Sequence, residues 1–140
     1  MVRIRKHPPR PAVVLPESLK ILVDTSVWID HLRTGKNALV QALTDSRVIT
    51  HDAIIGELAL GNLAHREPFL DSLQRLPRAV AGTHLEVMRL ISVGQLQGRG
   101  VGYLDVHLLV SARLTPDAWL WTYDKRLAAV AAELDVSITP

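Results

Sequence analysis

The sequence predicts an α/β fold with a mostly parallel sheet, and three observations support this fold class. Residues 20–23 form a short aliphatic run that ends at Asp24 and passes directly into a helical pattern. A second, largely apolar run begins at residue 118, ends at Asp124 and is also followed by a helical pattern. Between them, short apolar runs alternate with helical patterns, which is typical of a parallel sheet covered by helices on both faces. Because such sheets bring the carboxyl ends of their strands to one edge, both acids are expected at that edge.

The first half of the chain predicts two strands and four helices. In chain order these are a strand at 20–23, helices at 26–32 and 37–43, a strand at 47–50, and helices at 53–64 and 69–76. Gly35 breaks the first helix, and Asp52 is expected to cap the third. Ile54 and Leu58 are spaced by four and therefore share a face of that third helix. Pro68 opens the fourth helix at a position where proline is tolerated.

The second half predicts three more strands and three more helices. In chain order these are a strand at 79–81, helices at 83–97 and 105–114, a strand at 118–122, a helix at 125–134 and an edge strand at 136–138. Gly98 ends the first of these helices. The helix at 105–114 is apolar nearly all round, so we expect it to be buried. The sequence shows no internal repeat and no second domain boundary.

Composition limits the classes of protein that fit. A chain of 140 residues with 48% hydrophobic residues is expected to form one domain with a single core. No apolar run approaches the roughly 20 residues of a membrane span, and we expect a cytoplasmic protein. The absence of cysteine excludes disulfides, thiol catalysis and cysteine zinc sites. If four of the 14 acids gather in one pocket, 16 bases face ten acids elsewhere, a balance that suits a polyanionic partner.

Residues 1–19 differ in composition from the rest of the chain. They contain a basic cluster and four of the eight prolines: Arg3, Arg5, Lys6, Arg10, Pro8, Pro9, Pro11 and Pro16. Because proline denies a segment the hydrogen bonds of a ladder, we expect an extended or flexible N-terminal arm. The arm could be a solvated tail or a basic segment that binds nucleic acid, and its residues do not decide between these roles.

Four acidic residues are candidates for one site: Asp24, Glu57, Asp105 and Asp124. Asp24 and Asp124 end predicted strands, and Asp105 lies in the first turn of a buried helix. Glu57 has almost wholly apolar neighbours in sequence, and an ionised acid in such surroundings is costly unless it is paired or bound to metal. A competing interpretation is that Asp24 and Asp124 cap the following helices and that the Asp105 carboxylate interacts favourably with the positive end of a helix dipole. The residues alone leave both interpretations open.

A cluster of these carboxylates would favour a divalent metal ion. Mg²⁺ and Mn²⁺ take carboxylate oxygens and keep several waters, which leaves room for a phosphate. Without a metal, four nearby carboxylates would repel one another. Thr25 and Thr122 each lie beside a strand-end acid, so their hydroxyls could orient a water at the metal, or could cap helices. The six histidines show no helical metal-ligand spacing, and the three tryptophans are most simply explained as core.

At these acids the chain resembles the PIN-domain nucleases and, among them, the VapC-type toxins of bacterial toxin–antitoxin pairs. The matching stretches are residues 21–29, 55–58, 102–109 and 120–127, and each contains one of the four acids. Their order and spacing fit across residues 20–138. Carried over residue by residue, the resemblance implies that Asp24, Glu57, Asp105 and Asp124 are the metal-binding and catalytic acids, and we expect the three aspartates to bind the principal ion. Glu57 completes the cluster, and Thr25 and Thr122 match polar positions near the metal.

The resemblance implies further properties that the residues do not show by themselves. Members of the family are three-layer α/β/α sandwiches with a mostly parallel central sheet, are usually homodimers, and hydrolyse RNA with Mg²⁺ or Mn²⁺. Their substrates are commonly transfer RNA or ribosomal RNA. A VapB-type antitoxin wraps the toxin and often places an Arg or Lys in the acidic pocket. We therefore expect residues 20–140 to form a PIN domain that acts as an endoribonuclease toxin and blocks translation.

Other classes of protein fit the sequence less well. A receiver domain needs an acid pair after its first strand, and a phosphatase of the haloacid dehalogenase type needs an Asp where this chain has Ser26. A metal-free ribonuclease would use a His or Glu pair and leave a cyclic phosphate. The serious competitor is a non-catalytic PIN domain that binds RNA or protein. Metal-dependent cleavage would distinguish it from a nuclease.

Overall fold

The structure is a computed structural model that describes residue 16 and residues 18–140 of the chain. The predicted N-terminal arm therefore lies almost entirely outside the described residues. Leu19, at the end of the predicted arm, is buried in the core with 2% of its surface exposed. Its amide donates a hydrogen bond to the Pro16 carbonyl.

The described residues form three strands and seven helices. In chain order they are β1 (Lys20–Val23), α1 (Thr25–Thr34), α2 (Asn37–Thr44), β2 (Val48–Ile49), α3 (Asp52–Ala59), α4 (Arg66–Gln74), α5 (His84–Val93), α6 (Tyr103–Leu114), β3 (Ala118–Trp121) and α7 (Lys125–Glu133). No helix in this part of the chain combines the length and the apolar character needed to cross a bilayer.

The sheet is wholly parallel, with β1 between β2 and β3. Single parallel bridges extend it on both sides, from Thr50 to Arg78 and from Leu120 to Ser137. The strands predicted at 79–81 and 136–138 are thus reduced to one bridged position each, the first of them one residue earlier than predicted. Beside the β2 edge, Pro77 accepts a hydrogen bond from Thr50 but has no N–H to donate, which limits the ladder there. The α/β fold class with a parallel sheet is confirmed.

The core lies around the central strands and α6. The side chains of β1 from Ile21 to Val23 and all four of β3 are buried, as expected for strands covered on both faces. In α6, five consecutive residues from Leu108 to Ala112 are buried, which confirms the predicted buried helix. All three tryptophans are at most 5% exposed, which confirms their placement in the core.

Several helix boundaries differ from the predicted ones for local reasons. The predicted helix at 53–64 ends at Ala59, where the Arg66 guanidinium satisfies the Ala59 carbonyl at 2.9 Å. The helix predicted at 83–97 ends at Val93, before Gly94. The prediction that Asp52 caps α3 is wrong, because His51 holds the cap position and its Nδ1 accepts the Ala53 amide at 2.9 Å.

The parallel arrangement places three helix starts at one edge of the sheet. Each strand passes within a few residues into a helix, β1 into α1, β2 into α3 and β3 into α7. The first turns of these helices therefore gather at the carboxyl edge, where open α/β sheets bind their ligands.

Candidate active site

Asp24 occupies the centre of the carboxyl edge, directly after β1. Its amide donates to the Trp121 carbonyl at 2.9 Å, which closes the pairing of β1 with β3. The residue is only 6% exposed. Its side chain makes no capping hydrogen bond to α1, so the interpretation of Asp24 as a helix cap fails.

Two hydroxyl groups hold the Asp24 carboxylate. Ser26 Oγ and Thr122 Oγ1 both donate to Asp24 Oδ2, at 2.8 and 2.7 Å. Each hydroxyl in turn accepts a backbone amide at 3.0 Å, from Tyr123 and Asp124 respectively. Because each backbone amide occupies an oxygen lone pair, the hydroxyl protons are directed at the carboxylate. The pair therefore fixes the orientation of the Asp24 carboxylate.

This network changes the roles expected from the sequence. Thr122 was expected to orient a water or cap a helix, whereas its hydroxyl orients Asp24. Ser26 is a site residue that sequence reasoning missed. Its position two residues after Asp24, in the first turn of the following helix, was the available signal, but the 96-residue separation from Thr122 hides the pairing.

Asp124 and Asp105 each use one carboxylate oxygen to satisfy a helix N-terminus. Asp124 Oδ1 accepts the amides of Arg126 and Leu127 at 2.9 and 3.2 Å, so it does cap α7. Asp105 Oδ2 accepts the Gly102 amide at 2.9 Å from within the first turn of α6. No described residue hydrogen-bonds the second oxygen of either carboxylate, so capping does not exclude a further ligand.

Glu57 lies on the outer side of α3, and the expectation of a buried acid is wrong. Ile54, Ile55 and Leu58 turn into the core, whereas Gly56 and Glu57 are exposed. An apolar neighbourhood in sequence does not bury a residue when the helix turns its apolar face inwards.

The carboxylates nevertheless influence one another. Partial desolvation raises the pKa of Glu57, and the charges of Asp24 and Asp105 raise it further. Partial burial likewise raises the pKa of Asp105, with added repulsion from Asp24 and Asp124, against the lowering effect of the Gly102 amide. The structure thus brings all four predicted acids into electrostatic contact. None of them forms an ion pair with a Lys or Arg in the described part of the chain.

The carboxylate and hydroxyl oxygens of this site suit a hard cation that keeps some of its waters better than one coordinated by protein atoms alone. Among residues 18–140, no three His, Asp or Glu side chains form a ready-made metal cage. Mg²⁺ commonly keeps several waters and binds through only one or two carboxylates, so a cage is not required. Thr25 Oγ1 is buried, and its hydroxyl lies near the Glu57 carboxylate and lowers the pKa of that group, although the contact falls short of good hydrogen-bond geometry. Four carboxylates without a Lys or Arg partner among the described residues are what a hydrated ion would satisfy.

Comparison with known proteins identifies relatives of the chain. The sequence model of the PIN domain family matches residues 21–133, a span that contains all four acids. Ribonuclease VapC32 of Mycobacterium tuberculosis, from strains CDC 1551 / Oshkosh and ATCC 25618 / H37Rv, is 48% identical to it over 118 residues. The alignment covers 84% of this chain and 95% of the relative.

Proposed function

The chain belongs to the PIN-domain family, and from that premise we propose that it is a metal-dependent endoribonuclease. Its relative at 48% identity is named a ribonuclease, which supports RNA as the substrate. The observation that carries the proposal is the uncompensated group of Asp24, Glu57, Asp105 and Asp124 at the carboxyl edge of the sheet. Such a group is costly to maintain unless a cation binds there.

Three aspartates are assigned to the principal ion. Asp24, Asp105 and Asp124 each have one oxygen held by hydroxyl or amide groups and a second oxygen free of hydrogen bonds from described residues. When bound, Mg²⁺ or Mn²⁺ supplies a Lewis acid that offsets charge on the phosphoryl group. Glu57 completes the cluster, and with the Thr25 hydroxyl it positions the attacking water.

The proposed reaction is hydrolysis of a phosphodiester. The water loses one proton as its oxygen bonds to phosphorus, the bond from phosphorus to the 3′-oxygen breaks, and the 3′-oxygen takes up a proton. The products therefore carry a 5′-phosphate and a 3′-hydroxyl. A mechanism that used the RNA 2′-hydroxyl would leave a cyclic phosphate instead, so the ends identify the chemistry.

The test is cleavage of total RNA by the purified protein with Mg²⁺, with Mn²⁺ and with excess chelator. We expect cutting only with metal, and ends of the stated kind. Undiminished cutting in chelator would refute the metal mechanism. RNA binding with no cutting under any metal condition would instead identify the non-catalytic PIN domain. Sequencing RNA ends after brief expression identifies the substrate, for which we propose transfer RNA or ribosomal RNA.

We also propose that the protein is the toxin of a toxin–antitoxin pair and blocks translation by cutting cytoplasmic RNA. The free acidic cluster suits an Arg or Lys of a VapB-type antitoxin, because a guanidinium forks onto carboxylate oxygens. A homodimer is proposed from the apolar groove of about 1000 Å³ beside α5 and α6. Leu85 and Val93 are 79% and 71% exposed there, and light scattering of the purified chain tests this state.

A further inference from the structure

The aromatic residues of this chain are divided sharply by burial. The three tryptophans are at most 5% exposed, but both tyrosines, Tyr103 and Tyr123, are exposed at 45% and 41%. Each tyrosine also lies beside a carboxylate of the site. Tyr103 precedes Asp105 by two residues, and Tyr123 directly precedes Asp124.

Other aromatic rings hold Tyr103 in place at the start of α6. Its hydroxyl lies 2.8 Å from His84 Nδ1, and its ring meets that of His107 edge-on, with centroids 4.8 Å apart. The His107 ring lies 6.2 Å from that of His51, which follows β2 and caps α3. These contacts link Tyr103, through His107, to the residue that follows β2.

Tyr123 is held on the β3 side of the carboxyl edge. Its ring lies edge-on to the buried Trp121 at 6.1 Å, and the Lys36 amine lies 5.3 Å from its centroid. Lys36 is itself fixed by Asp30 at 3.2 Å. The Tyr123 amide donates to Ser26 Oγ, which ties this tyrosine to the group that orients Asp24.

The sheet order places Asp24 between His51, to which Tyr103 is linked through His107, and Tyr123. Asp24 follows β1, and β1 lies between β2 and β3. A strand of RNA whose phosphate reaches Asp24 along this edge would have its neighbouring nucleotides over exposed aromatic rings on either side.

We propose that Tyr103 and Tyr123 are base-stacking residues that hold single-stranded RNA on both sides of the scissile phosphate. This inference rests on the proposed nuclease function. Every base has a π-face, so stacking on a tyrosine holds a strand with little dependence on sequence. The histidine and lysine contacts keep both rings in place before RNA arrives, which lowers the entropic cost of binding.

The experiment compares Tyr103→Leu and Tyr123→Leu with the matching phenylalanine variants. Val80→Ala is the control, because Val80 is 47% exposed and its amide donates a hydrogen bond to the Thr115 hydroxyl, at the opposite end of the helix that begins with Tyr103. Affinity is measured by fluorescence anisotropy in an Asp24→Asn background, with a labelled unstructured RNA of about 12 nucleotides, a length within the known range of single-strand sites. kcat/KM is measured with Asp24 intact.

Each leucine variant should bind RNA roughly 5- to 100-fold more weakly, the range measured for loss of one base stack. Its kcat/KM should fall mainly through KM. The phenylalanine variants should lose less affinity than the leucine variants, because they keep the ring and lose only the contact of its hydroxyl. Val80→Ala should stay within about twofold of the parent protein. Circular dichroism checks the fold of each variant.

A scan of single abasic positions along the RNA gives an independent test that needs no variant. Removing the base over each tyrosine should weaken binding to the parent protein, but should cost nothing further in the corresponding leucine variant. If no abasic position weakens binding, stacking is refuted even where a leucine variant misfolds.

The remaining outcomes separate this inference from the function on which it rests. If the unmodified protein cuts RNA and both leucine variants keep their affinity and KM, stacking is wrong and the nuclease function stands. If the leucine variants keep RNA binding but escape a co-expressed antitoxin, the tyrosines serve a protein partner and the inference is overturned. If the unmodified protein neither binds nor cuts RNA, both ideas fail together.

Discussion

Replacing Asp24 with asparagine is the most direct test of the proposed metal site. The substitution preserves shape and removes one charge from a residue that is only 6% exposed. Two effects then oppose each other in the metal-free protein. The bonds from Ser26 and Thr122 lose their charge assistance, and the repulsion of Asp24 with Glu57 and Asp105 disappears.

The two effects are similar in size. A hydrogen bond to a charged group contributes about 1.5–3 kcal/mol and a neutral one about 0.5–1.5, so the variant loses roughly 1 kcal/mol at each of two bonds. Relief of repulsion from two neighbouring carboxylates returns a comparable amount. We expect the free energy of unfolding without metal to change by no more than about 1 kcal/mol, or roughly 4 °C in melting temperature for a domain of this size.

Metal should separate the variant from the parent protein far more clearly. A ligand at 100 times its dissociation constant stabilises the folded state by about 2.7 kcal/mol, which corresponds to roughly 10 °C here. The parent protein should show this shift with Mg²⁺, and Asp24→Asn should lose most of it. Cleavage should fall by about 100-fold or more, because a metal contributes several kcal/mol to the transition state.

The assay is thermal melting in chelator and in Mg²⁺ at constant ionic strength, alongside a cleavage assay. Asp105→Asn should behave like Asp24→Asn. Asp71→Asn, on the surface of α4, is the control for a simple change of net charge. If Asp24→Asn keeps both its Mg²⁺-induced shift and its cleavage rate, Asp24 binds no essential ion and its hydroxyl network is only structural.

Three further predictions follow from the same geometry. Because the folded-state pKa values of Glu57 and Asp105 are raised, the folded metal-free protein binds protons more tightly than the unfolded chain. Its stability should therefore rise as pH falls from above these raised pKa values towards the ordinary carboxyl pKa values. The rise should be less steep in Asp24→Asn, and melting experiments at a series of pH values measure it. Thr122→Val should weaken Mg²⁺ affinity about 10- to 100-fold, and Thr122→Ser should restore it, by calorimetric titration. Antitoxin affinity should fall across a Mg²⁺ titration at constant ionic strength; a constant affinity would show that no basic side chain enters the pocket.

The sequence predicted the main features of the fold and that the four acids lie near one another, because those depend on local spacing. Two apolar runs that each end in an acid can belong to parallel strands, and parallel strands share a carboxyl edge. The near-continuous apolar pattern of α6 predicted its burial equally well. The two bridged edge positions were harder to predict. A single bridged residue, such as Arg78 or Ser137, is too short to leave a periodic pattern in the sequence.

The hydrogen bonds between distant residues could not be predicted in this way. The contacts of Thr122 with Ser26 and Asp24 join residues 96 and 98 positions apart. Nothing in the pattern around Ser26 indicates that its hydroxyl accepts the Tyr123 amide and donates to Asp24. The exposure of Glu57 was missed for a related reason, because composition near a residue does not say which way the helix turns its side chain.

The sequence left open whether the aspartates of the site cap helices or bind a metal ion. In this structure the two roles are compatible, because each can use a different carboxylate oxygen. Asp124 caps α7 with Oδ1, Asp105 accepts the amide of Gly102, just before α6, with Oδ2, and Asp24 accepts two hydroxyls with Oδ2. In each aspartate the hydrogen-bonded oxygen fixes the orientation of the second oxygen. The local hydrogen bonds therefore orient the carboxylate and leave its second oxygen available to a metal ion. Glu57 is exposed on α3 and has only the nearby Thr25 hydroxyl beside its carboxylate, which suits a group that must adjust as RNA and water arrive. These differences match the proposed roles. The three hydrogen-bonded aspartates would bind one ion in a fixed position, and the less constrained glutamate would move beside it.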